Sequence, residues 1–390
     1  MKTNSSRRDF LSAGLAVPVA GIASSLGVWR ESEQAASQPS PLSPAKLSYR
    51  TLGKTGLKVT TLGFGCMITS DPSVIERAAD LGINYFDTAR GYQHGNNERM
   101  VGAALKRKRR DIVLSSKTPS ESKQAALDDL DTSLRELGTD YLDIWYLHGK
   151  DKPQGVKDEL VEAQQLAKKQ GKIRFAGVST HAPQELLPWL VKKEVMDVVL
   201  VTYNFTMDKG VDAVIEEASK ASMGVVGMKV MAGGFRKVKH TDPLAPKLKR
   251  EGAMLAALKW VVKNPHVHTT IPSMTDMEQL DENLKAMAEP YSAVEEKLLA
   301  RQLDYISPLY CRMCGKCEGA CAKGLPVSDI LRYLTYAEGY GQFSLGREKF
   351  LELPVEVSAV RCQQCSRCTV TCPFGVQVAS RLSRAQELFA

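Results

Sequence analysis

The sequence predicts an α/β protein: a (β/α)8 TIM barrel followed by a small, mainly helical domain rich in cysteine. Between Leu47 and about Leu303, short β-branched runs alternate with helical stretches eight times. No GxGxxG motif follows the first run, which argues against a doubly wound sheet. Eight of the nine cysteines come after Tyr310. The predicted strands are TTLGFG, INYFD, DIVLSSK, YLDIWYLH, IRFAGVS, MDVVLV, GVVGMKV and HTTIPS.

The N-terminus predicts an export signal over residues 1–30. A paired arginine is followed by a mild apolar run that ends near Trp29. SRRDFL, residues 6–11, resembles the twin-arginine signal of proteins that fold before export. The alternatives are an ordinary secretory signal and a chance arginine pair. The twin-arginine interpretation predicts a periplasmic or otherwise extracytoplasmic protein with the twin-arginine export machinery as a partner. Residues 31–45, rich in Ser, Pro, Ala and Gln, are predicted to be a disordered linker.

Length and charge limit the remaining possibilities. The 390 residues suit two folded units, which we predict at residues 46–303 and 304–390. The formal net charge of +8 is mild, and the basic run KRKRR (106–110) closes a helical pattern, where cations suit the helix dipole. Nucleic-acid binding is therefore not expected. Outside the N-terminus no apolar run is long enough to span a bilayer, so no stable membrane span is expected.

The clustered cysteines form two quartets with the same spacing of two, two and three residues. This spacing is the bacterial ferredoxin run for [4Fe–4S] clusters, in which the fourth cysteine of each run binds the other cluster. It predicts one cluster on Cys311, Cys314, Cys317 and Cys372 and a second on Cys362, Cys365, Cys368 and Cys321.

Zinc and disulfides are the competing explanations for these cysteines. Zinc sites use two separated CxxC pairs around one ion, and CxxCxxC loops make a poor disulfide framework. One departure from the ferredoxin pattern is Ala322, which follows Cys321 where a proline is usual. Because iron–sulfur assembly is cytoplasmic, two clusters also explain why an exported chain would fold first.

Four ionisable side chains lie at or just after predicted strand ends: Asp87, Tyr92, Lys117 and His148. Barrel active sites lie at the C-terminal ends of the strands, so these groups should converge at one mouth. Cys66, in LGFGCM, should also lie there, and we interpret it as a packing thiol.

The stretches NYFDTARGYQHGNNERMVGAAL, VLSSKT, LDIWYLHG, GKIRFAGVSTH and VTYNF resemble the aldo/keto reductases over the whole barrel. GMKVMAGG and the appended cysteine domain resemble the ferredoxin-fused branch of that family. The resemblance implies a catalytic tetrad of Asp87, Tyr92, Lys117 and His148. Tyr92 would protonate a substrate carbonyl that His148 orients. Lys117, kept charged by Asp87, would lower the pKa of the phenol from its usual value of about 10.

The positions that hold nicotinamide in the family depart from its pattern. A Ser-Asn pair and a Gln are replaced by Ser179-Thr180 and Leu200, and the usual stacking aromatic by Met228 and Lys229. The segment IPSMTDMEQLDEN carries no cation for a 2′-phosphate, although its Ser273, Gln279, Glu282 and Asn283 could hold an adenosine half. The basic loop 235–250 could clamp a pyrophosphate or be a solvated loop.

Three functions follow. The first is an exported oxidoreductase whose barrel binds a small carbonyl or alcohol substrate and whose two [4Fe–4S] clusters relay electrons to or from a redox protein partner. The second is a conventional NAD(P)H-dependent aldo/keto reductase with auxiliary clusters. The third is an electron-transfer module with the barrel as a docking scaffold. The tetrad argues against the third, and the missing nicotinamide contacts argue against the second.

Overall fold

A computed structural model of the chain describes residues 46–234 and 252–390. The export signal predicted at 1–30, the linker predicted at 31–45 and the basic loop 235–250 lie outside the described residues.

The barrel is a sheet of eight parallel strands in sequence order. A parallel bridge from Leu62 to Thr270 joins its first and last edges, so the barrel is nearly closed. The predicted (β/α)8 barrel with a helical C-terminal region is therefore confirmed. The strands are β3 (Phe64–Gly65), β4 (Tyr85–Asp87), β5 (Val113–Thr118), β6 (Leu142–Leu147), β7 (Ile173–Thr180), β8 (Val198–Thr202), β9 (Gly224–Met228) and β10 (Thr269–Thr270).

An antiparallel hairpin of β1 (Tyr49–Thr51) and β2 (Lys58–Thr60) precedes the barrel, which the alternation of strands and helices did not predict. Leu52, Leu57 and Val59 of this segment pack with buried residues of the barrel strands. The Arg50 guanidinium donates hydrogen bonds of 2.7 Å to the carbonyls of Val262 and Asn264. The hairpin therefore covers the end of the barrel that lies opposite the strand C-termini.

Amphipathic helices surround the strands, and their apolar faces bury Leu, Val and Ala side chains against the barrel. The described α-helices of this part are α1 (Pro72–Asp80), α2 (Asn96–Leu105), α3 (Lys123–Leu137), α4 (Asp158–Lys169), α5 (Pro183–Lys193), α6 (Lys209–Lys220), α7 (Ala253–Val262), α8 (Met277–Ala288) and α9 (Ala293–Ile306). Short 3₁₀ turns lie at Gly53–Thr55, Tyr92–Gly95, Lys106–Lys108 and Pro153–Gly155.

The C-terminal region is helical and has its own apolar core, formed by residues such as Ile330, Leu334, Phe350, Leu382 and Phe389. Its helices are α10 (Val327–Glu338), α11 (Phe343–Leu351), α12 (Val355–Ser358) and α13 (Val378–Phe389), with a 3₁₀ turn at Cys362–Gln364. Helix α9 continues to Ile306, past the boundary predicted at 303/304. Within the described residues no helix is both long enough and apolar enough to cross a membrane.

The end of α10 touches the mouth of the barrel. A Cβ atom on Gly339, which follows α10, would collide with the backbone carbonyl oxygen of Gly233, in the loop after β9. The Lys229 ammonium lies over the Tyr336 ring, 5.3 Å from its centroid. The C-terminal region therefore forms a roof over the barrel mouth, and glycine is needed where the two backbones meet.

Gly339→Ala tests this contact. The added methyl group must push α10 away from the Gly233 carbonyl, so we expect a loss of about 1–3 kcal/mol in unfolding free energy. Gly155→Ala is the matched control, because its Cβ would make only ordinary contacts, 3.4 Å or longer, with the Lys150 side chain. Denaturant unfolding of both variants measures the effect. Equal stability of the two would contradict the close approach.

Candidate functional site

The four predicted residues converge at the C-terminal mouth of the barrel. Asp87 is the last residue of β4, Lys117 is the second-last of β5, and His148 directly follows β6. Tyr92 opens the 3₁₀ turn after β4. Parallel strands end at the same edge of a sheet, which is why residues far apart in sequence meet here.

Lys117 is the centre of the group. Its Nζ lies 2.5 Å from Asp87 Oδ2, 2.7 Å from the Thr88 carbonyl oxygen and 3.3 Å from the Tyr92 hydroxyl. Lys117 and Asp87 are each 1 % exposed, so the ion pair is shielded from water. Ser115 Oγ donates a 2.7 Å hydrogen bond to the other Asp87 oxygen. The pair therefore holds a fixed ammonium donor against the Tyr92 phenol.

His148 faces Tyr92 across the cavity, with the two rings edge to face and their centroids 5.9 Å apart. Burial, followed by the charges of Lys117 and His181, holds the pKa of His148 well below its usual value. The imidazole is therefore neutral at physiological pH. A neutral imidazole with one N–H can donate a hydrogen bond to a substrate oxygen without supplying a proton.

Burial raises the pKa of Tyr92 well above its usual value, and the charge of Asp87 raises it further. The Lys117 ammonium, 3.3 Å from the hydroxyl, acts in the opposite sense, so burial sets the net direction of the pKa shift. Tyr92 is therefore protonated before reaction and can act as an acid.

These groups open into a cavity of about 770 Å³ that lies between the barrel mouth and the C-terminal region. The barrel contributes Tyr92, His148 and the loops after the strands, and the C-terminal region contributes residues of α10 and α11. The cavity is large enough for a small substrate together with a second group.

Most of the predicted cofactor-binding residues line this cavity: Ser179, Lys229, Ser273 and Gln279. Leu200 and Met228, which replace the family's nicotinamide contacts, line it as well. Several are already engaged within the protein. Ser179 Oγ accepts a 2.8 Å hydrogen bond from the Gly149 N–H, and Gln279 Nε2 donates to Thr275 Oγ1 at 2.8 Å. Asn283 is fully buried in α8 and lies outside the described lining. Two of the side chains predicted to hold the nucleotide, Ser179 and Gln279, are therefore already hydrogen-bonded within the protein.

The sequence did not predict the contribution of the C-terminal region to this site. Arg332, Tyr333, Tyr336 and Tyr340 line the cavity from α10 and the residues that follow it. The available signal was the polar and aromatic face of the helical pattern VSDILRYLTYAEGY, but sequence periodicity does not indicate which surface such a face covers. His181, after β7, was also missed. It is 12 % exposed and pairs with Asp151 at 3.4 Å.

The clustered cysteines fall into the two predicted sets. Cys311, Cys314, Cys317 and Cys372 line one small cavity together with Phe374. In the other set, burial and then the neighbouring Cys321, Cys365 and Cys368 raise the pKa of Cys362 to about 11. Each set therefore combines three thiols of one run with the fourth thiol of the other.

The cysteine chemistry fits a cluster. All nine cysteines lie in the described part of the chain, and none of them forms a disulfide there. Across the same residues, no three His, Cys, Asp or Glu side chains are grouped to hold a single metal ion. Four thiols arranged around a cavity are the donor set that a cubane needs, since its ligands bind separate corners.

Cys66 lies beside the tetrad but is enclosed. It is 0 % exposed, and its N–H donates a 2.9 Å hydrogen bond to the Asp87 carbonyl oxygen. Burial raises the pKa of its thiol, so the sulfur is uncharged. Its contacts are those of a packing residue.

The (β/α)8 barrel thus places a phenol and a neutral imidazole side by side at its mouth, with a buried lysine–aspartate pair behind the phenol. The aldo/keto reductase family model matches residues 70–301, and the chain belongs to that family. It is thus an oxidoreductase by family. All eight clustered cysteines lie beyond the matched segment.

Relatives match the barrel over nearly their whole length. The chain is similar to the uncharacterized oxidoreductase YqkF of Bacillus subtilis (strain 168), with 27 % identity over 65 % of this chain and 95 % of the relative. L-galactose dehydrogenase of Arabidopsis thaliana is 27 % identical over 63 % of this chain and 89 % of the relative's length. The holo form of an aldo-keto reductase from Bacillus halodurans superposes with a TM-score of 0.57, with 27 % identity over 65 % of this chain and 96 % of that chain.

Tyr92→Phe tests the acid. The change removes the hydroxyl that lies 3.3 Å from Lys117 Nζ and keeps the ring, so carbonyl reduction should slow by about 10²–10⁴-fold. Tyr85→Phe is the control, because its hydroxyl bonds to Tyr146 at 2.8 Å inside the barrel. Steady-state rates measure both variants. Unchanged reduction by Tyr92→Phe would show that another group is the acid.

Proposed function

We propose that this protein is an exported iron–sulfur oxidoreductase of the aldo/keto reductase family. Its barrel converts a small carbonyl or alcohol substrate, and two [4Fe–4S] clusters in the C-terminal region exchange the electrons with a redox protein partner. Cys311, Cys314, Cys317 and Cys372 hold one cluster, and Cys321, Cys362, Cys365 and Cys368 hold the other.

The observation that carries this proposal is the position of α10 between the first cysteine set and the tetrad cavity. Ser328 Oγ lies 4.0 Å from Cys317 Sγ, and Leu331 lines the cysteine cavity. One residue further on, Arg332 lines the tetrad cavity. Ser328 and Arg332 are one helical turn apart, a rise of about 6 Å. This separation supports direct electron exchange between the first cluster and the substrate cavity.

The chain's own residues handle the protons. Reduction of a carbonyl to an alcohol takes up two electrons and two protons, and clusters held by the two cysteine sets would supply one electron each. Tyr92 donates one proton to the carbonyl oxygen, and a proton taken up from water, together with the two electrons, forms the new C–H bond at the carbonyl carbon. His148 orients the oxygen by a hydrogen bond, and Lys117 stabilises the Tyr92 phenolate until water reprotonates it. A reduced one-electron carrier protein supplies the electrons, and the same steps reversed oxidise an alcohol.

The family supports a second candidate, a conventional NAD(P)H-dependent reductase in which the clusters are auxiliary. The cavity of about 770 Å³ has room for part of a dinucleotide beside a substrate. Ser179, Lys229, Ser273 and Gln279 would face the nucleotide in that case. The proposed export argues against the conventional reductase, because a soluble nicotinamide donor is hard to replenish outside the cytoplasm.

Iron content tests the clusters. We expect about eight irons and eight acid-labile sulfides per chain. Cys314→Ser and Cys365→Ser should each remove about half of both, because they belong to different sets. Cys66→Ala, which changes the buried cysteine outside the sets, should keep the full content. Stoichiometric zinc in place of iron would contradict the proposed clusters.

Calorimetry tests whether the protein binds NADPH or NADH. Leu200 offers no hydrogen bond to a carboxamide, and residues 271–283 carry no cation for a 2′-phosphate. Loss of two hydrogen bonds at about 1 kcal/mol each, together with the phosphate pairing, should weaken NADPH binding by about two to three powers of ten relative to a typical family member. Any residual binding should favour NADH. Micromolar or tighter NADPH binding would promote the conventional reductase.

Replacement of Arg7 and Arg8 by lysine tests export. The twin-arginine pathway reads the arginine pair itself, so the double variant should retain folded, cluster-bearing protein in the cytoplasm. Cell fractionation with iron analysis measures this. Variant protein found outside the cytoplasm with its clusters would contradict the assignment.

A further inference from the structure

We propose that the substrate is anionic: it carries a carboxylate or phosphate group that binds Arg332 and Lys229 while its carbonyl or hydroxyl group meets Tyr92 and His148. This inference rests on the proposed function only in treating the tetrad cavity as the substrate site. It assigns a role to two cations that the tetrad chemistry does not use.

Arg332 enters the cavity from α10 with unused hydrogen-bonding capacity. Its Nη2 donates to Asp329 Oδ1 at 2.7 Å, one turn back on the same helix. Its Nε is buried without a hydrogen-bond partner among the described residues. A guanidinium presents five N–H donors in a rigid plane, so this arrangement leaves donors for an oxyanion.

Lys229 enters from the end of β9, on the opposite wall. Its backbone has a φ of +54°, a left-handed conformation that costs a side-chain-bearing residue energy. The Asn204 side chain donates a 3.1 Å hydrogen bond to the Lys229 carbonyl and helps to hold this conformation. The ammonium faces the rings of Tyr336 and Tyr340, hydrogen-bonds the Tyr340 side chain and feels the Asp151 charge, but among the described residues it forms no salt bridge with a carboxylate. The strained backbone thus directs this ammonium into the cavity.

The carboxylates near the cavity already have partners within the protein. Asp87 is paired with Lys117, and Glu348 lies 3.0 Å from His94 and 3.7 Å from Lys349. Asp151 accepts hydrogen bonds from the His181 N–H and its ring. Two cations, Arg332 and Lys229, therefore face the cavity, with the charges of Asp329 acting on the first and Asp151 on the second.

The same cations act on the tetrad. Besides burial, the charges that lower the pKa of His148 come from Lys117, His181, Arg332 and Lys229. Burial lowers the pKa of Lys229, with Arg332 contributing. A bound oxyanion would relieve this repulsion, and its position beside His148 would place the carbonyl of the same small molecule within reach of Tyr92.

Equilibrium binding to the oxidised holoprotein, without any electron donor, tests the subsite. Titration with inorganic phosphate and with acetate should show binding that Arg332→Gln weakens about ten- to a hundredfold. Arg332→Lys should retain much of the affinity, because it keeps the charge. Lys349→Gln is the matched control: this cavity cation is held by Glu352 at 2.7 and 2.8 Å, and its loss should leave anion binding unchanged.

A matched series identifies the anion. Glucose, glucuronate and glucose 6-phosphate differ only at one end of the skeleton. The proposal is supported if the wild type binds one of the charged sugars more tightly than glucose and Arg332→Gln loses this preference. The sugar that is preferred identifies the anionic group as a carboxylate or a phosphate. Cluster absorbance checks that each variant is folded. Equal binding of phosphate and acetate by the wild type and Arg332→Gln, or none by either, would overturn it. The proposal would also be overturned if Arg332→Gln weakened the binding of NADPH but not of these anions. None of these outcomes depends on the source of electrons, so the proposed function is tested separately.

Discussion

The packing of α10 across the barrel mouth is the contact on which the site depends. Gly339 meets the Gly233 carbonyl so closely that no side chain fits between them. This approach brings Arg332 and Tyr336 over the tetrad and leaves Ser328 beside Cys317. One helix therefore completes the cavity and borders the first cysteine set. A barrel without this helix would have an open mouth and no short path to the cysteines.

The tetrad shows how burial changes the chemistry expected from residue types alone. Lys117 and Asp87 form a buried ion pair, and burial dominates the pKa of the neighbouring Tyr92 phenol. Burial, and then the positive charges around it, keep His148 neutral. In the proposed function Tyr92 is thus the proton donor, and His148 is a hydrogen-bonding group that orients the substrate oxygen. This division of roles needs only short contacts among four side chains.

The sequence could predict whatever depends on local pattern. The alternation of β-branched runs and helical stretches gave the barrel, and Asp87, Lys117 and His148 could be placed at strand ends because barrel geometry is regular. The roof could not be predicted, because the face that α10 presents to the barrel depends on contacts between distant segments. Arg332 and His181 were missed for this reason. The net pKa shift of Tyr92 could not be predicted, because it depends on how completely the folded chain buries the phenol.

The most direct test of the proposed function is whether electrons pass between the proposed clusters and the cavity. The protein would be reduced anaerobically, freed of reductant and mixed in a stopped-flow instrument with aldehydes and ketones that carry a carboxylate or phosphate, without nucleotide. We expect the reduced clusters to be reoxidised, with one alcohol formed per two electrons, and Cys314→Ser to abolish the reaction. Clusters that stay reduced with every carbonyl, while NADPH alone supports turnover, would contradict it.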